Sequence, residues 1–243
     1  MKEKQNLNRI QIVLVDTQDA YNIGSVCRAM KTMNINKLAI VSTREYDKNK
    51  VKKLSIHAYD IFENARFYNS LEEALSTSVY SVGATRRRGK NRKADCLNPE
   101  QLSEKISKIG EGIVSIVFGR EDRGLVDNEI RACSQIVTIP TSDEFPSLNL
   151  SQAVQIITYS LYNNLKPYPV ENTPVTKDRI KIGVDKSISY LDDINFFKRN
   201  VDRESISDLL KDVYERALLN ESELQRLEKF YFKIDKIVKY KNK

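Results

Sequence analysis

Residues Ile136 to Leu161, IVTIPTSDEFPSLNLSQAVQIITYSL, decide the reading of the chain. They run as a short apolar strand, a polar loop, and a helix with one apolar face. Leu150, Ala153, Val154, Ile157 and Leu161 recur at helical spacing, so that face packs on a core. Ser147, Asn149 and Ser151 alternate with Leu148 and Leu150 where the helix begins. A helix start leaves backbone N–H groups without partners, and small polar side chains there either cap them or turn to a ligand. Both roles stay open at this point.

Working outward, the same strand–loop–helix pattern recurs upstream. Ile10 to Asp16 (IQIVLVD) reads as a strand, Thr17 to Gly24 as a polar loop, and Ser25 to Met33 as a helix. Asn34 suits a left-handed helix stop. Lys37 to Ser42 (KLAIVS) completes a βαβ unit, which predicts a parallel sheet. Val51 to Phe67 reads as a helix and a short strand. Ser70 and Glu73 form a capping-box pattern ahead of a further helix. Val79 to Gly83 is a strand, Pro99 opens a helix over Asn98 to Lys108, and Ile113 to Phe118 (IVSIVF) is apolar throughout, as a central strand should be. Val126 to Cys133 reads as a helix and Gln135 to Ile139 as the last strand. Alternating elements give an α/β domain, residues 1–163, with helices on both faces of the sheet.

Residues 164–176 hold Pro167, Pro169 and Pro174 and read as a linker. Residues 177–243 are helical only. Ile206 to Leu218 keeps one apolar face, Asn220 ends it, and Ser222 with Gln225 forms a capping pattern before a last stripe ending at Val238. From Lys229 to Lys243 six lysines face one acid, Asp235.

The chain has 243 residues, a net charge of +7, and 30% charged residues. That balance points to an anionic partner, with nucleic acid first. Cys27, Cys96 and Cys133 are far apart and fit a reducing compartment rather than a disulfide framework or a zinc site. No apolar run reaches membrane-spanning length and no signal peptide is evident, so a cytoplasmic protein is expected. The single histidine, His57, lies outside the polar loops and reads as structural or merely exposed. GxGxxG and GxxxxGK[ST] are both absent, which argues against dinucleotide and triphosphate enzymes.

Three loops beyond strand ends carry the chemistry. They contain NIGSVCRAMKTM (Asn22–Met33), VFGREDRGL (Val117–Leu125) and IPTSDEFPSLNLSQAV (Ile139–Val154). In this order these stretches resemble the three motifs of the SpoU branch of the SPOUT RNA 2'-O-ribose methyltransferases. The resemblance covers about residues 9 to 163. It implies a SPOUT fold, an α/β sheet with a C-terminal trefoil knot, and a homodimer with the active site completed across its interface. It implies S-adenosylmethionine as cofactor, held by Ala84, Thr85, Arg86, Gly119, Ile139, Ser147, Leu148 and Asn149. Arg28, Asn22 and Glu121 become the catalytic candidates. Arg28 would meet the ribose hydroxyl and an adjacent phosphate, either as a base or as an electrostatic stabiliser. A guanidinium stays protonated, which favours stabilisation. Asn22 would anchor its loop, and Glu121 would orient Arg28 or touch substrate.

Arg86 to Lys93 (RRRGKNRK) packs six basic residues into eight. It departs from the family pattern of small polar residues before one arginine. Arg87, Arg88, Lys90, Arg92 and Lys93 are therefore expected to contact RNA phosphate. The expected substrate is tRNA at position 32 of the anticodon loop, on cytidine, uridine or both. Ribosomal RNA is the close alternative, and a non-catalytic RNA-binding or assembly factor on the same fold is the reading of another class. No metal is expected.

Overall fold

The computed structural model describes residues 5–86, 96–166 and 173–241. The sheet strands are β1 (Ile10–Val15), β2 (Lys37–Val41), β3 (Arg66–Tyr68), β4 (Ser78–Ala84), β5 (Cys96–Leu97), β6 (Ile113–Phe118) and β7 (Gln135–Val137). Their order is β3-β2-β1-β6-β4-β7-β5, and every pairing is parallel. The apolar run Ile113 to Phe118 takes the central place its composition predicts. Alternate residues of β1 divide between two cores. Ile10, Ile12 and Leu14 pack on one face and Val13 and Val15 on the other, each under its own layer of helices.

The helices of this domain are α1 (Ala20–Thr32), α2 (Lys48–Ser55), α3 (Tyr59–Glu63), α4 (Leu71–Leu75), α5 (Pro99–Ser107), α6 (Asp127–Ala132) and α7 (Leu150–Asn164). α1 begins inside the stretch expected to be a loop. Asp19 caps it by accepting from the Tyr21 amide at 3.0 Å, so Asn22 and Gly24 are helical. Gly24 sits in a helix because α2 crosses it closely: a β-carbon there would lie 2.3 Å from the Val51 carbonyl oxygen. Asn34 follows with φ of 54°, the left-handed stop its side chain tolerates. Asn98 and Gln101 form a full capping box with Pro99 inside it. β5, two residues long, has no counterpart in the sequence pattern, and the last strand ends at Val137 rather than Ile139.

Beyond residue 172 come α8 (Lys177–Asp193), α9 (Asn200–Ala217) and α10 (Glu221–Lys241). They share a core of Val175, Ile180, Val184, Ile188, Leu191, Tyr214 and Leu224. The cap of α10 differs from the expected Ser222–Gln225 pair. Asn220 and Glu223 instead exchange hydrogen bonds at 3.0 Å each way. The bundle is fastened to the sheet through buried Glu215, which accepts from Lys177 Nζ at 2.5 Å and Ser134 Oγ at 2.8 Å. None of the described helices is long and apolar enough to cross a membrane.

Within the bundle, Glu228 accepts from Arg179 at 2.7 Å and lies 3.4 Å from Lys186 Nζ. Burial pushes its carboxyl up, but Arg179 and Lys186 outweigh burial and hold it below the ordinary value of 4.5. The native state then binds its proton less readily than the unfolded chain. Its contribution is present above pH 4.5 and is lost as pH falls through the lower native value. Glu228→Gln is expected to lower the thermal midpoint at neutral pH. That deficit shrinks as the pH drops below 4.5. Midpoints for both chains across an acid series check this.

Candidate active site

Because all strands run parallel, the segments after β1, β4, β6 and β7 meet at one end of the sheet. Between them lies an open cavity of about 870 Å³, counting its mouth. Ala84, Thr85 and Arg86 enter it from β4. Phe118 to Gly124 enter from β6, and Val137, Ile139, Thr141 and Pro146 to Leu148 from β7. Leu150 and Ala153 of α7 close the wall. The walls are apolar at Phe118, Val137, Ile139 and Leu148 and carry backbone groups at the loops, which suits a nucleoside with a polar tail.

Two backbone arrangements shape this cavity. Thr85 is locked to β7: its amide donates to the Val137 carbonyl at 3.0 Å, and its carbonyl accepts from Thr138 Oγ1 at 2.6 Å. Gly119 lies against the returning loop. A β-carbon there would stand 2.2 Å from the Gly124 carbonyl carbon and 2.3 Å from the Leu125 nitrogen. The loop closes on itself through the Gly124 amide and the Arg120 carbonyl at 2.9 Å.

Charged residues of that loop fasten the others. Arg120 forms ion pairs with Asp16 at 2.5 Å and Glu129 at 2.9 Å. Burial works against its charge, yet the two carboxylates raise the guanidinium above its ordinary value. Glu121 accepts from Asn22 Nδ2 at 2.8 Å and from the Gln18 amide at 2.9 Å. Asn22 Oδ1 accepts from Asn149 Nδ2 at 3.2 Å, while Asn149 Oδ1 caps α7 at the Ser151 amide, 2.9 Å away. Asn149 thus serves as cap and as link between helices.

Arg28 stands apart from this chain of bonds. It is exposed on α1, in a groove it shares with Ser25, Thr32, Leu148, Ser151, Gln152 and Ile156. The expected Glu121–Arg28 pair is replaced by Glu121–Asn22, because Glu121 points at the start of α1 and Arg28 lies about two turns further along. Leu148 lines both the cavity and the groove. Cys27, next to Arg28, is buried; burial, with Asp60 nearby, pushes its thiol up to about 12, so it is no nucleophile. His57 is exposed and does not line the cavity.

Seven of the eight expected cofactor residues line the cavity; Asn149 does not. Arg87, Arg88, Lys90, Arg92 and Lys93 lie outside the described residues. The Asp16–Arg120–Glu129 bridge is no part of the sequence motifs and joins residues of three separate segments. Asp16 directly after β1 and the acid nine residues past Arg120 were the available signals.

The parallel α/β sheet thus gathers a cavity and an exposed arginine beside one another at its carboxyl end. Residues 9–159 match the model of the SpoU rRNA Methylase family, and the chain belongs to that family. The tRNA (cytidine-2'-O-)-methyltransferase TrmJ of Methanocaldococcus jannaschii is 37% identical over 155 residues, 63% of this chain and 67% of its own length. An uncharacterized tRNA/rRNA methyltransferase of Haemophilus influenzae is 33% identical over 229 residues, 91% of this chain and 92% of that protein. The crystal structure of TrmJ from Z. mobilis ZM4 superposes with a TM-score of 0.76 at 26% identity. It covers 93% of this chain and 98% of the other.

Proposed function

We propose that this methylase transfers a methyl group from S-adenosylmethionine to a ribose 2'-hydroxyl of tRNA, at position 32 of the anticodon loop. The observation that carries the reading is the shared wall at Leu148. It sets the cavity directly beside the groove that holds Arg28. The name of the archaeal relative, matched over the same domain, supports tRNA and the 2'-oxygen.

The cavity suits the donor: apolar walls take an adenine, and the absence of a side chain at Gly119 lets the backbone of Gly124 and Leu125 close against it at the cavity. Ala84, Thr85, Arg86, Gly119, Ile139, Ser147 and Leu148 would hold it, Arg86 through its backbone. Bound there, it supplies a methyl group on a sulfonium leaving group. The work left to the protein is alignment and charge. Arg28 holds the hydroxyl and the neighbouring phosphate in the groove and favours the oxygen's developing negative charge as its proton passes to water. Glu121, Asn22 and Asn149 tie the loop after β6, α1 and α7 together, so the groove keeps its place relative to the cavity. They are positioning residues. Arg87, Arg88, Lys90, Arg92 and Lys93 are assigned to RNA phosphate on their charge.

A homodimer, the trefoil knot and a cytoplasmic setting belong to the same reading. So does a division into a methyltransferase domain over residues 1–163, a linker, and a helical extension from residue 177. A second copy of the chain would cover Ile156 and Tyr159, which α7 exposes beside the groove.

Labelled S-adenosylmethionine with unmodified transcripts of tRNA and ribosomal RNA, followed by nucleoside mass spectrometry, tests the reading. The expected product is 2'-O-methylcytidine or 2'-O-methyluridine at tRNA position 32. Label in ribosomal RNA alone would keep the chemistry and overturn the substrate. No label and no donor binding would leave an RNA-binding scaffold.

A further inference from the structure

Helix α2 carries Lys48, Lys50, Lys52 and Lys53, all exposed. None of the four forms an ion pair among the described residues, whereas Lys31 on neighbouring α1 pairs with Asp60 at 2.6 Å. Lys48 and Lys50 occupy the first turn, which has no acid. Cations at a helix N-terminus oppose the macrodipole, so helix stability does not account for Lys48 and Lys50, whereas Lys52 and Lys53 in the last turn complement it.

Their position is fixed by packing. Gly24 lets α2 cross α1 closely. This brings Lys50 Nζ 5.7 Å and Lys53 Nζ 6.0 Å from the centre of the Tyr21 ring. Attraction to the ring face holds both ammonium groups there. Tyr21 precedes Asn22, and Tyr21, Ser25 and Arg28 share one face of α1 by their spacing. The Ser25 hydroxyl donates to the Tyr21 carbonyl at 3.1 Å along that face. Arg28 lies about 10 Å along the axis from Tyr21 at 1.5 Å per residue. The two lysines therefore extend the positive charge of Arg28 along α1 toward its first turn.

We propose that Lys50 and Lys53, with Lys48 and Lys52 beside them, form an RNA-phosphate surface that grips the strand flanking the target nucleotide. This rests on the methyltransferase reading above, and it gives that site a direction of strand entry. Such a surface adds affinity and register without reading bases.

The test compares wild type with K50Q/K53Q and with K37Q/K108Q. The last pair removes the same charge at the opposite, amino end of the strands. Binding to an unmodified tRNA transcript is measured across a salt series, together with kcat and KM for methyl transfer. For K50Q/K53Q, affinity falls about tenfold at low salt, and the slope of log K against log salt becomes shallower by roughly 0.7 to 0.9 for each phosphate no longer neutralised. KM rises while kcat stays within about twofold, as for an interaction made equally in ground and transition states. K37Q/K108Q stays near wild type in both. Unchanged slope and KM in K50Q/K53Q, or equal shifts in both doubles, would overturn the proposal. If K50Q/K53Q lowers the thermal midpoint, K48Q/K52Q repeats the comparison. The slope is read without methyl transfer. A wild-type chain that binds tRNA but never methylates it counts against the function, and the slope still decides the surface.

Discussion

Arg28→Ala is expected to lower kcat for methyl transfer roughly a hundred- to a thousandfold, the usual cost of removing one preorganised partner of a developing oxyanion. Donor affinity is expected to stay at the wild-type level, because Arg28 lines the groove and not the cavity. The fold should be untouched, since Arg28 is exposed and its side chain supports no neighbour among the described residues. Arg28→Lys separates the two roles of the guanidinium. A lysine restores charge at one point but not the planar fork that can meet hydroxyl and phosphate together. It should recover RNA affinity more than kcat. Single-turnover rates, calorimetric titration with S-adenosylmethionine, and RNA binding measure the three effects apart. An Arg28→Ala enzyme with near-normal kcat would remove Arg28 from the reaction and leave the groove as a docking surface.

Much of this site is legible in sequence because strand and helix periodicities are local. The short, mostly β-branched run IVSIVF reads as a doubly buried strand, and the stripe from Leu150 to Leu161 reads as a packed helix. The family motifs then mark three loops that a parallel sheet must gather at one end. What stays hidden depends on how distant segments meet. Gly24 looks like a loop residue; it lies inside α1, and it is glycine because Val51 of α2 needs the space a side chain would take. β5 has two residues and no pattern, and exists because β7 offers it an edge. Charge alone pairs Glu121 with Arg28. Its real partner is a neutral amide, Asn22, since direction of approach outranks charge when both groups are anchored. The fastening of the C-terminal bundle by Lys177, Glu215 and Ser134 is equally invisible, as a lysine and an acid 38 residues apart carry no sign of being buried together.

Gly119→Ala puts the dependence of the site on close backbone approach to the sharpest test. The added carbon would stand 2.2 Å from one backbone carbon and 2.4 Å from the Gly124 carbonyl oxygen. Neither is a flexible chain end, so the loop itself must open. Opening breaks the bond between the Gly124 amide and the Arg120 carbonyl. It also drags Arg120 from Asp16 and Glu129. Glu121 moves with it and releases Asn22 and the Gln18 amide. One methyl group therefore reaches the cavity floor, the start of α1 and, through Asn149, the start of α7. The expected loss of stability is about 2 to 4 kcal/mol, at the upper end for overpacking, because a largely buried ion pair loosens as well. Donor affinity should fall below detection. Gly124→Ala is the matched control. Gly124 is left-handed, with φ of 67°, but a β-carbon there meets nothing within 4 Å. Its cost is only the backbone preference, about 1 to 2 kcal/mol, with the donor still bound. Thermal midpoints and S-adenosylmethionine titrations of the two variants distinguish the causes. If both lose the donor equally, loop flexibility governs the cavity; if only Gly119→Ala does, the cavity is built by the approach of one backbone to another.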